Sequence, residues 1–486
     1  MSSTSKNTKG NSILGSFAWK FAERMSSQGV SFIVSVVLAR ILLPEEFGVI
    51  AMIHVFTTIA NVFVVSGFSS ALIQKKDADA LDFSTILHFS ISFSVILYVL
   101  IFCLSPAIAD FYGEPILESV MRVYSLTLIL SAYNSVQQAW VSRHMKFKLF
   151  FYSTVSGNVV SGIVGITMAY MGYGVWALVG QILTSQVINT VVLANLINWH
   201  PSLKFSMDRA KPLLSYGWKI LGSDLISTIY FQLRQLLIGK FYTAKDLAFY
   251  NRGTHIPEMV STNIDRSLVQ VLFPAMSNYS DSPEKIKALT RKSMRITSFV
   301  MFYILIVIIV LAEPLVRVIY TEKWIACVPF LQMMAIAKML QTVSHANIQS
   351  FKAVGRSDLV LKLEFIKKPV GFLLILLSFP ISVYAVAMTL PIYGTFSALV
   401  NARSNRGVLG YKLKEQISDL MPAILLSLGV YLLSYSYRWL EISDIEMLFF
   451  GFVVSTFFYF GVSYFFKIES FMYCIQRINN FNKFKK

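Results

Sequence analysis

The sequence predicts an all-α integral membrane protein of about fourteen transmembrane helices, arranged as two six-helix lobes related by an internal repeat plus two extra helices. Three observations carry this. Mean hydropathy is +0.60, and only 14% of the 486 residues are charged, where a soluble domain carries about 25%. Apolar stretches of roughly 20 residues, long enough to cross a bilayer, recur along the whole chain. Lys and Arg concentrate in alternate loops, as the positive-inside rule requires.

The stretches run 17–38, 49–66, 86–104, 120–138, 151–171 and 175–197 in the first half. After a polar break come 216–238, 254–274, 296–315, 325–349, 359–379 and 381–400, and then 420–437 and 447–466. The first, eighth and tenth contain charges. The eleventh and twelfth form a tight hairpin at Phe379-Pro380. The resulting organisation is a cytoplasmic tail (1–16), an N-lobe (17–198), a cytoplasmic linker (199–215), a C-lobe (216–401), two added helices (402–466) and a cytoplasmic C-terminal tail (467–486). Ser282-Pro283-Glu284 is a helix-start signal and predicts a short surface helix over 280–295. The tail from Phe471 mixes aromatic and basic residues. It fits either a helix along the cytoplasmic membrane face or a disordered segment.

With both termini in the cytoplasm, most of the 43 Lys and Arg fall in cytoplasmic segments. That accounts for the net charge of +17 without nucleic acid. Cys103, Cys327 and Cys474 show no metal-ligand spacing and read as free thiols. The polar start, with Lys6 and Lys9, is not followed directly by an apolar run and small-residue cleavage site, so the first span is expected to stay in the protein. No outer loop is long, the longest being 105–119 and a similar stretch around 239–253. This leaves no room for an extracytoplasmic catalytic domain. The expectation is a non-enzyme with no cofactor and no metal.

The first and seventh spans repeat each other. Trp19-Lys20 matches Trp218-Lys219. Ala39-Arg40 followed by Pro44-Glu45-Glu46-Phe47-Gly48 matches Gly239-Lys240 followed by Ala244-Lys245-Asp246-Leu247-Ala248. Repeat-built transporters place their substrate site at the repeat interface.

Polar residues fall in stripes. At about 100° per residue, positions three or four apart share a face. Lys20, Arg24, Ser27, Ser31 and Ser35 do so on the first span, and Lys219, Ser223, Ser227, Tyr230 and Arg234 on the seventh. Thr127, Ser131, Asn134 and Gln138 share a face on the fourth, Thr254, Glu258, Thr262 and Asp265 on the eighth, and Lys338, Thr342, His345 and Gln349 on the tenth. His54, Thr58 and Asn61 lie on the second. A single Ser or Thr is ordinarily helix–helix glue, and Lys20, Lys219 and Arg234 lie near enough to helix ends to snorkel. Charges deeper in a span cost about 2.5–3.5 kcal/mol unless they meet water or a partner. Stripes on several helices together predict an aqueous cavity, basic on its cytoplasmic half, where a phosphate would bind. The candidate substrate contacts are Lys20, Arg24, Lys219, Arg234, Lys338 and His345. Glu23, Glu258 and Asp265 are candidates for binding a coupling cation or proton. For Glu23, neutralising Lys20 or Arg24 is the alternative role.

Several segments resemble a known family. They are the run from Ser27 to Ser35 with Leu38-Ala39-Arg40 and Pro44-Glu45-Glu46-Phe47-Gly48; the run from Ser66 to Asp77; Gly174-Val175-Trp176-Ala177-Leu178-Val179; Tyr250-Asn251-Arg252; Val271-Leu272-Phe273-Pro274; and Glu322-Lys323-Trp324. In this order they resemble the polysaccharide transporter branch of the multidrug/oligosaccharidyl-lipid/polysaccharide flippase superfamily. The resemblance implies a V-shaped fold of two six-helix lobes, often with two extra helices. It also implies flipping of undecaprenyl-pyrophosphate-linked oligosaccharide across the bacterial cytoplasmic membrane for lipopolysaccharide, capsule or exopolysaccharide. Expected partners are that substrate, membrane lipid, a coupling H+ or Na+, and glycan-polymerising machinery. The chain departs from the family at Gln232 and Arg234, where relatives often carry Asn and Asp, and at Gln270, where they often carry Arg. Two rivals are a drug–cation antiporter of the same superfamily and a polytopic oligosaccharide polymerase or ligase. The basic cavity argues against the first, and the short outer loops argue against the second.

Overall fold

A computed structural model describes residues 4–66, 68–75, 77–279, 282–437 and 439–483. Every regular element among them is helical. By its contacts the chain forms two compact units, Met1–Ala248 and Phe249–Lys486.

The first unit contains α1 (Thr4–Ile41), α2 (Pro44–Val65), α3 (Phe68–Gln74), α4 (Ala80–Tyr112), α5 (Ile116–Tyr124), α6 (Thr127–Arg143), α7 (Lys148–Tyr170), α8 (Val175–Leu196), α9 (Met207–Phe241) and the first turn of α10 (Ala244–Ser277). One apolar cluster joins α3, α4, α6 and α8 through Leu72, Phe83, Ile86, Val136, Trp140 and Leu193. Another joins α1, α7 and α8 through Val34, Leu38, Ala169, Ala177 and Leu178. The close packing of α7 comes from small residues. Ser153, Gly157, Ser161, Gly165 and Ala169 recur every fourth position and are all buried. Such a ridge lets helices approach in lipid, where association relies on van der Waals contact. Beside it, a Cβ on Gly162 would fall 2.4 Å from Val34 Cγ2 of α1.

Helix α9, placed in the C-lobe by the sequence, makes its contacts in the first unit, against α2, α3 and α4. The two segments that match in sequence have similar local geometry. Helix α1 ends at Ile41 and α2 starts at Pro44, while α9 ends at Phe241 and α10 starts at Ala244. Each second helix is capped by the acid three residues in. The Leu43 amide donates to Glu46 Oε2 at 2.7 Å, and the Thr243 amide to Asp246 Oδ2 at 3.2 Å. The two starts also touch. Glu45 pairs with Lys245 at 3.1 Å, and a Cβ on Gly48 would fall 1.9 Å from the Ala244 carbonyl oxygen. Only glycine fits there.

The second unit continues α10 and adds α11 (Pro283–Val310), α12 (Ala312–Tyr320), a 3-10 turn (Glu322–Cys327), α13 (Val328–Ala353), α14 (Ser357–Ser378), α15 (Val383–Leu409), α16 (Leu413–Tyr437), α17 (Asp444–Phe465) and α18 (Glu469–Lys483). Its larger core brings Phe299, Met301 and Leu305 of α11 against Met339 of α13, Leu426 and Val430 of α16, and Tyr459 of α17. Two of the sequence motifs meet here. The Arg252 guanidinium lies 5.1 Å from the Trp324 ring centre and 5.0 Å from that of Tyr320.

One expectation changes. The short surface helix over 280–295 is instead the start of α11. Ser282 and Pro283 do open a helix, with proline at its first position. No Gly or Pro follows to stop it before the apolar stretch, so it runs on to Val310. The tail after residue 468 is helical from Glu469, and its last three residues lie outside the described ones.

Among the described residues, ten helices or helix pairs are long and apolar enough to cross a membrane, so the protein is a multi-pass membrane protein. The expected spans 17–38, 216–238, 254–274 and 359–379 lie within the long helices α1, α9, α10 and α14, which are not among the ten. These are helices in which the sequence places charged side chains. The tight hairpin is as expected, with α14 ending at Ser378 and α15 starting at Val383.

A candidate polar cavity and two ion-pair rungs

In the first unit the stripe on α1 divides by function. At its start, Lys20 and Glu23 form a one-turn ion pair, Nζ to Oε2 2.9 Å, with the ammonium also 4.6 Å from the Phe150 ring centre. Glu23 therefore neutralises Lys20. Arg24 is half-buried and makes no ion pair among the described residues. One turn on, Ser27 is tied to α7, its Oγ accepting from Asn158 Nδ2 at 2.7 Å. That is helix–helix glue. One further turn on, Ser31 faces a cavity of about 210 Å³. Its other polar walls are Asn158 and Ser161 of α7 and Gln181, Ser185 and Gln186 of α8. No charged residue lines it.

The small-residue ridge of α7 explains this cavity. Gly157 and Gly165 bring α8 close, and a Cβ on Gly165 would fall 2.8 Å from Gln181 Cβ. The longer amide side chains of α8 then project into the space among the three helices. Uncharged amides and hydroxyls there suit the hydroxyls of a neutral ligand or water. The α7 and α8 contributions were missed in the sequence, although the (i, i+4) spacing of Gln181 and Ser185 was available. Ser31 lies seven residues beyond Arg24, about 10 Å along the axis.

On α9, Arg234 is buried and so does not reach out to an interface. Ser223 and Ser227 are exposed, as is Asp224, which the stripe did not include. Lys219 lies on α9, and its side chain is outside the described residues.

The candidates of the second unit pair with one another. Lys338 Nζ lies 3.2 Å from Glu258 Oε1. His345 Nδ1 lies 3.1 Å from Asp265 Oδ2, though out of hydrogen-bond alignment, so Nδ1 counts as unpartnered along with Asp265 Oδ1. Both pairs join α10 to α13 with seven residues between rungs on each helix, so the two helices run parallel. The second rung borders a very small cavity of about 10 Å³, also lined by Ser293, Thr297, Thr342 and Gln349. The Thr297 hydroxyl is a third unpartnered buried polar atom there. Three such atoms border a space of about one water's size, which suits a bridging water. The histidine's other nitrogen, Nε2, is 3.1 Å from Gln341 Nε2.

Comparisons with known proteins identify the family. Residues 37–329, more than half of the chain, match the family described as polysaccharide biosynthesis protein. The chain belongs to that family. It is 25% identical to the teichuronic acid biosynthesis protein TuaB of Bacillus subtilis (strain 168) over 76% of each chain. It is 22% identical to the succinoglycan biosynthesis transport protein ExoT of Rhizobium meliloti (strain 1021), over 70% of this chain and 68% of that one. The fold matches the lipid II flippase MurJ in an inward closed conformation, with a TM-score of 0.74 at 13% identity, over 93% of this chain and 99% of the other.

The cavity predicts a labelling pattern. In a background with the three native cysteines replaced, Ser31→Cys and Ser185→Cys are expected to react with a small water-soluble thiol reagent in intact membranes. Leu38→Cys and Leu178→Cys, both in the core of the same helices, are expected not to. Equal labelling of the two sets would show that the cavity is not water-filled.

Proposed function

We propose that this protein flips polyprenyl-pyrophosphate-linked oligosaccharides across the bacterial cytoplasmic membrane, with undecaprenyl as the lipid. One observation supports this above the rest: Arg24 has no acidic partner among the described residues and lies two helical turns from a neutral cavity walled by hydroxyls and amides. A pyrophosphate on Arg24 would place the first sugars at that cavity, with the lipid tail left in the bilayer. Lys219 would add positive potential and Arg234 would act deeper, whereas Lys20 is offset by Glu23 and Lys338 by Glu258. A cationic drug would instead need free carboxylates, and Glu23, Glu258 and Asp265 each already face a basic side chain.

The working cycle in this reading is alternating access, with all fourteen long helices crossing the membrane and both termini in the cytoplasm. Reporter fusions at Asp77, Lys287 and the C-terminus are then expected to signal cytoplasm, and fusions at Lys245 and Ser443 the outside. A cytoplasmic signal at Lys245 together with an outside signal at Lys287 would overturn this topology.

The Asp265–His345 rung is the proposed coupling site, taking a proton or Na+ onto the carboxylate. Asp265→Asn keeps the shape and removes the charge. It is expected to abolish surface glycan at unchanged protein level, with a smaller loss for His345→Gln. Wild-type glycan from Asp265→Asn would remove the rung from the coupling scheme.

The headgroup contact is tested at Arg24. A charge-assisted hydrogen bond contributes about 1.5–3 kcal/mol, so losing one weakens binding roughly tenfold or more. In a flippase-deficient strain, Arg24→Ala is expected to cut surface glycan by that factor with normal membrane abundance. Arg24→Lys should retain part of the activity, because charge remains while the planar fork is lost. Full glycan from Arg24→Ala would exclude it as the pyrophosphate contact.

A further inference from the structure

A cavity of about 660 Å³ lies in the second unit where α11 passes the start of α18. The flipping scheme makes no use of it. Four cations line it, Arg291, Lys292, Arg295 and Lys467, against one acid, Glu469. A second carboxylate, Asp419, sits buried behind them and holds the two arginines. Arg291 Nε and Nη2 reach its oxygens at 2.8 and 2.9 Å, and Arg295 Nε at 2.9 Å. Tyr411 also donates to it. This fixes the arginines in place but uses only some of the five N–H donors that each carries. Glu469 pairs with Arg295 from the rim. Glu415 also lies 3.8 Å from Arg291 and is shared with Lys287 at 3.1 Å, so three acids stand against five cations, and the excess of two positive charges rests on Lys292 and Lys467. Lys292 lies 3.9 Å from the Tyr473 ring centre, and Lys467 makes no ion pair among the described residues.

Lys467 sits at an unusual backbone position. It is the left-handed residue that ends α17, with φ 49°, and the bonds from Lys467 N to Tyr464 O and from Ile468 N to Ser463 O close the helix around it. Glycine is the residue that this position favours. The lysine side chain is held at the cavity mouth at the expense of backbone comfort.

The surroundings indicate what the cavity faces. Tyr464, Phe465 and Phe466, immediately before Lys467, are 67%, 79% and 70% exposed. They continue the apolar outer surface of α17, one of the ten helices suited to a membrane. Tyr464 is of the type enriched at the bilayer–water boundary, and the two exposed phenylalanines beside it suit the hydrocarbon. A cationic cavity at that depth, beside a lipid-facing helix, meets lipid phosphates. We propose that this cavity is a binding site for the phosphate of an anionic phospholipid headgroup, with the acyl chains lying along the exposed face of α17. It is separate from the Arg24 site, and its outcome does not depend on whether the protein flips glycans.

The test is native mass spectrometry of the full chain in detergent, titrated with phosphatidylglycerol or phosphatidylcholine, with inorganic phosphate as competitor. Wild type is expected to retain phosphatidylglycerol preferentially. Lys292→Gln combined with Lys467→Gly is expected to weaken that retention roughly tenfold or more while leaving phosphatidylcholine unchanged. The glycine variant relaxes the backbone at position 467, so loss of folding does not explain such a result. Glu469→Gln removes the competing acid and is expected to strengthen retention, which a purely structural role for these residues would not produce. Equal retention of the two lipids, or no change in the double variant, would overturn the proposal. Displacement of phosphatidylglycerol by millimolar inorganic phosphate would assign the cavity to a free anion and overturn the lipid assignment.

Discussion

A charge carried on a helix into a bilayer has to find a partner or water, because hydrocarbon offers neither. Much of this structure follows from that constraint. In the second unit the rule is met by pairing: Lys338 with Glu258, His345 with Asp265, and Lys367 with Glu364 at 2.6 Å. In the first unit, Glu23 answers Lys20. Arg24 stands apart from this pattern, near a cavity that can hold water. An uncompensated cation is costly in lipid and useful to an anionic substrate, and the two statements describe the same electrostatic term. The cost is also why the helices that carry such charges, α1 and α10, are not among those apolar enough to be recognised as spans.

The neutral cavity has a different origin, in volume. Five small residues on one face of α7 let α1 and α8 close in. Close approach at the ridge leaves room beside it, because the amide side chains of α8 are too long to lie flat between the backbones. The same sequence feature therefore supplies packing energy, through van der Waals contact, and a polar recess. Enlarging the ridge residues would damage both, so fold and site are not separable on these three helices.

Much of the fold could be read from the sequence, because length and hydropathy decide whether a segment prefers lipid. The hairpin at Phe379-Pro380 and the helix–turn–helix repeat at residues 41–44 and 241–244 were visible for local reasons, proline and an acid at the third helical position. What escaped was non-local. The rungs Glu258–Lys338 and Asp265–His345 join residues 80 apart, and a stripe on one helix does not reveal which helix faces it. The sequence offers Lys338 and His345 as substrate contacts, and the geometry places a carboxylate beside each. The packing of α9 within the first unit is likewise a tertiary fact. The continuation of α11 through residue 295 shows the reverse error: a change from polar to apolar composition does not end a helix when nothing in the backbone interrupts it.

The internal repeat separates what geometry demands from what chemistry demands. Both copies keep the acid that caps the second helix, Glu46 and Asp246, because an exposed helix start needs an acceptor wherever it occurs. Both keep a small residue four positions into that helix, Gly48 and Ala248, and Gly48 is where the two helix starts approach, against Ala244. The first helices of the two copies have diverged. On α1 an open arginine stands before a run of serines facing α7 and α8, whereas α9 carries exposed Ser223, Asp224 and Ser227 and a buried Arg234. Similar helix ends with unlike linings give the two segments different polar surfaces without altering the turns that hold them.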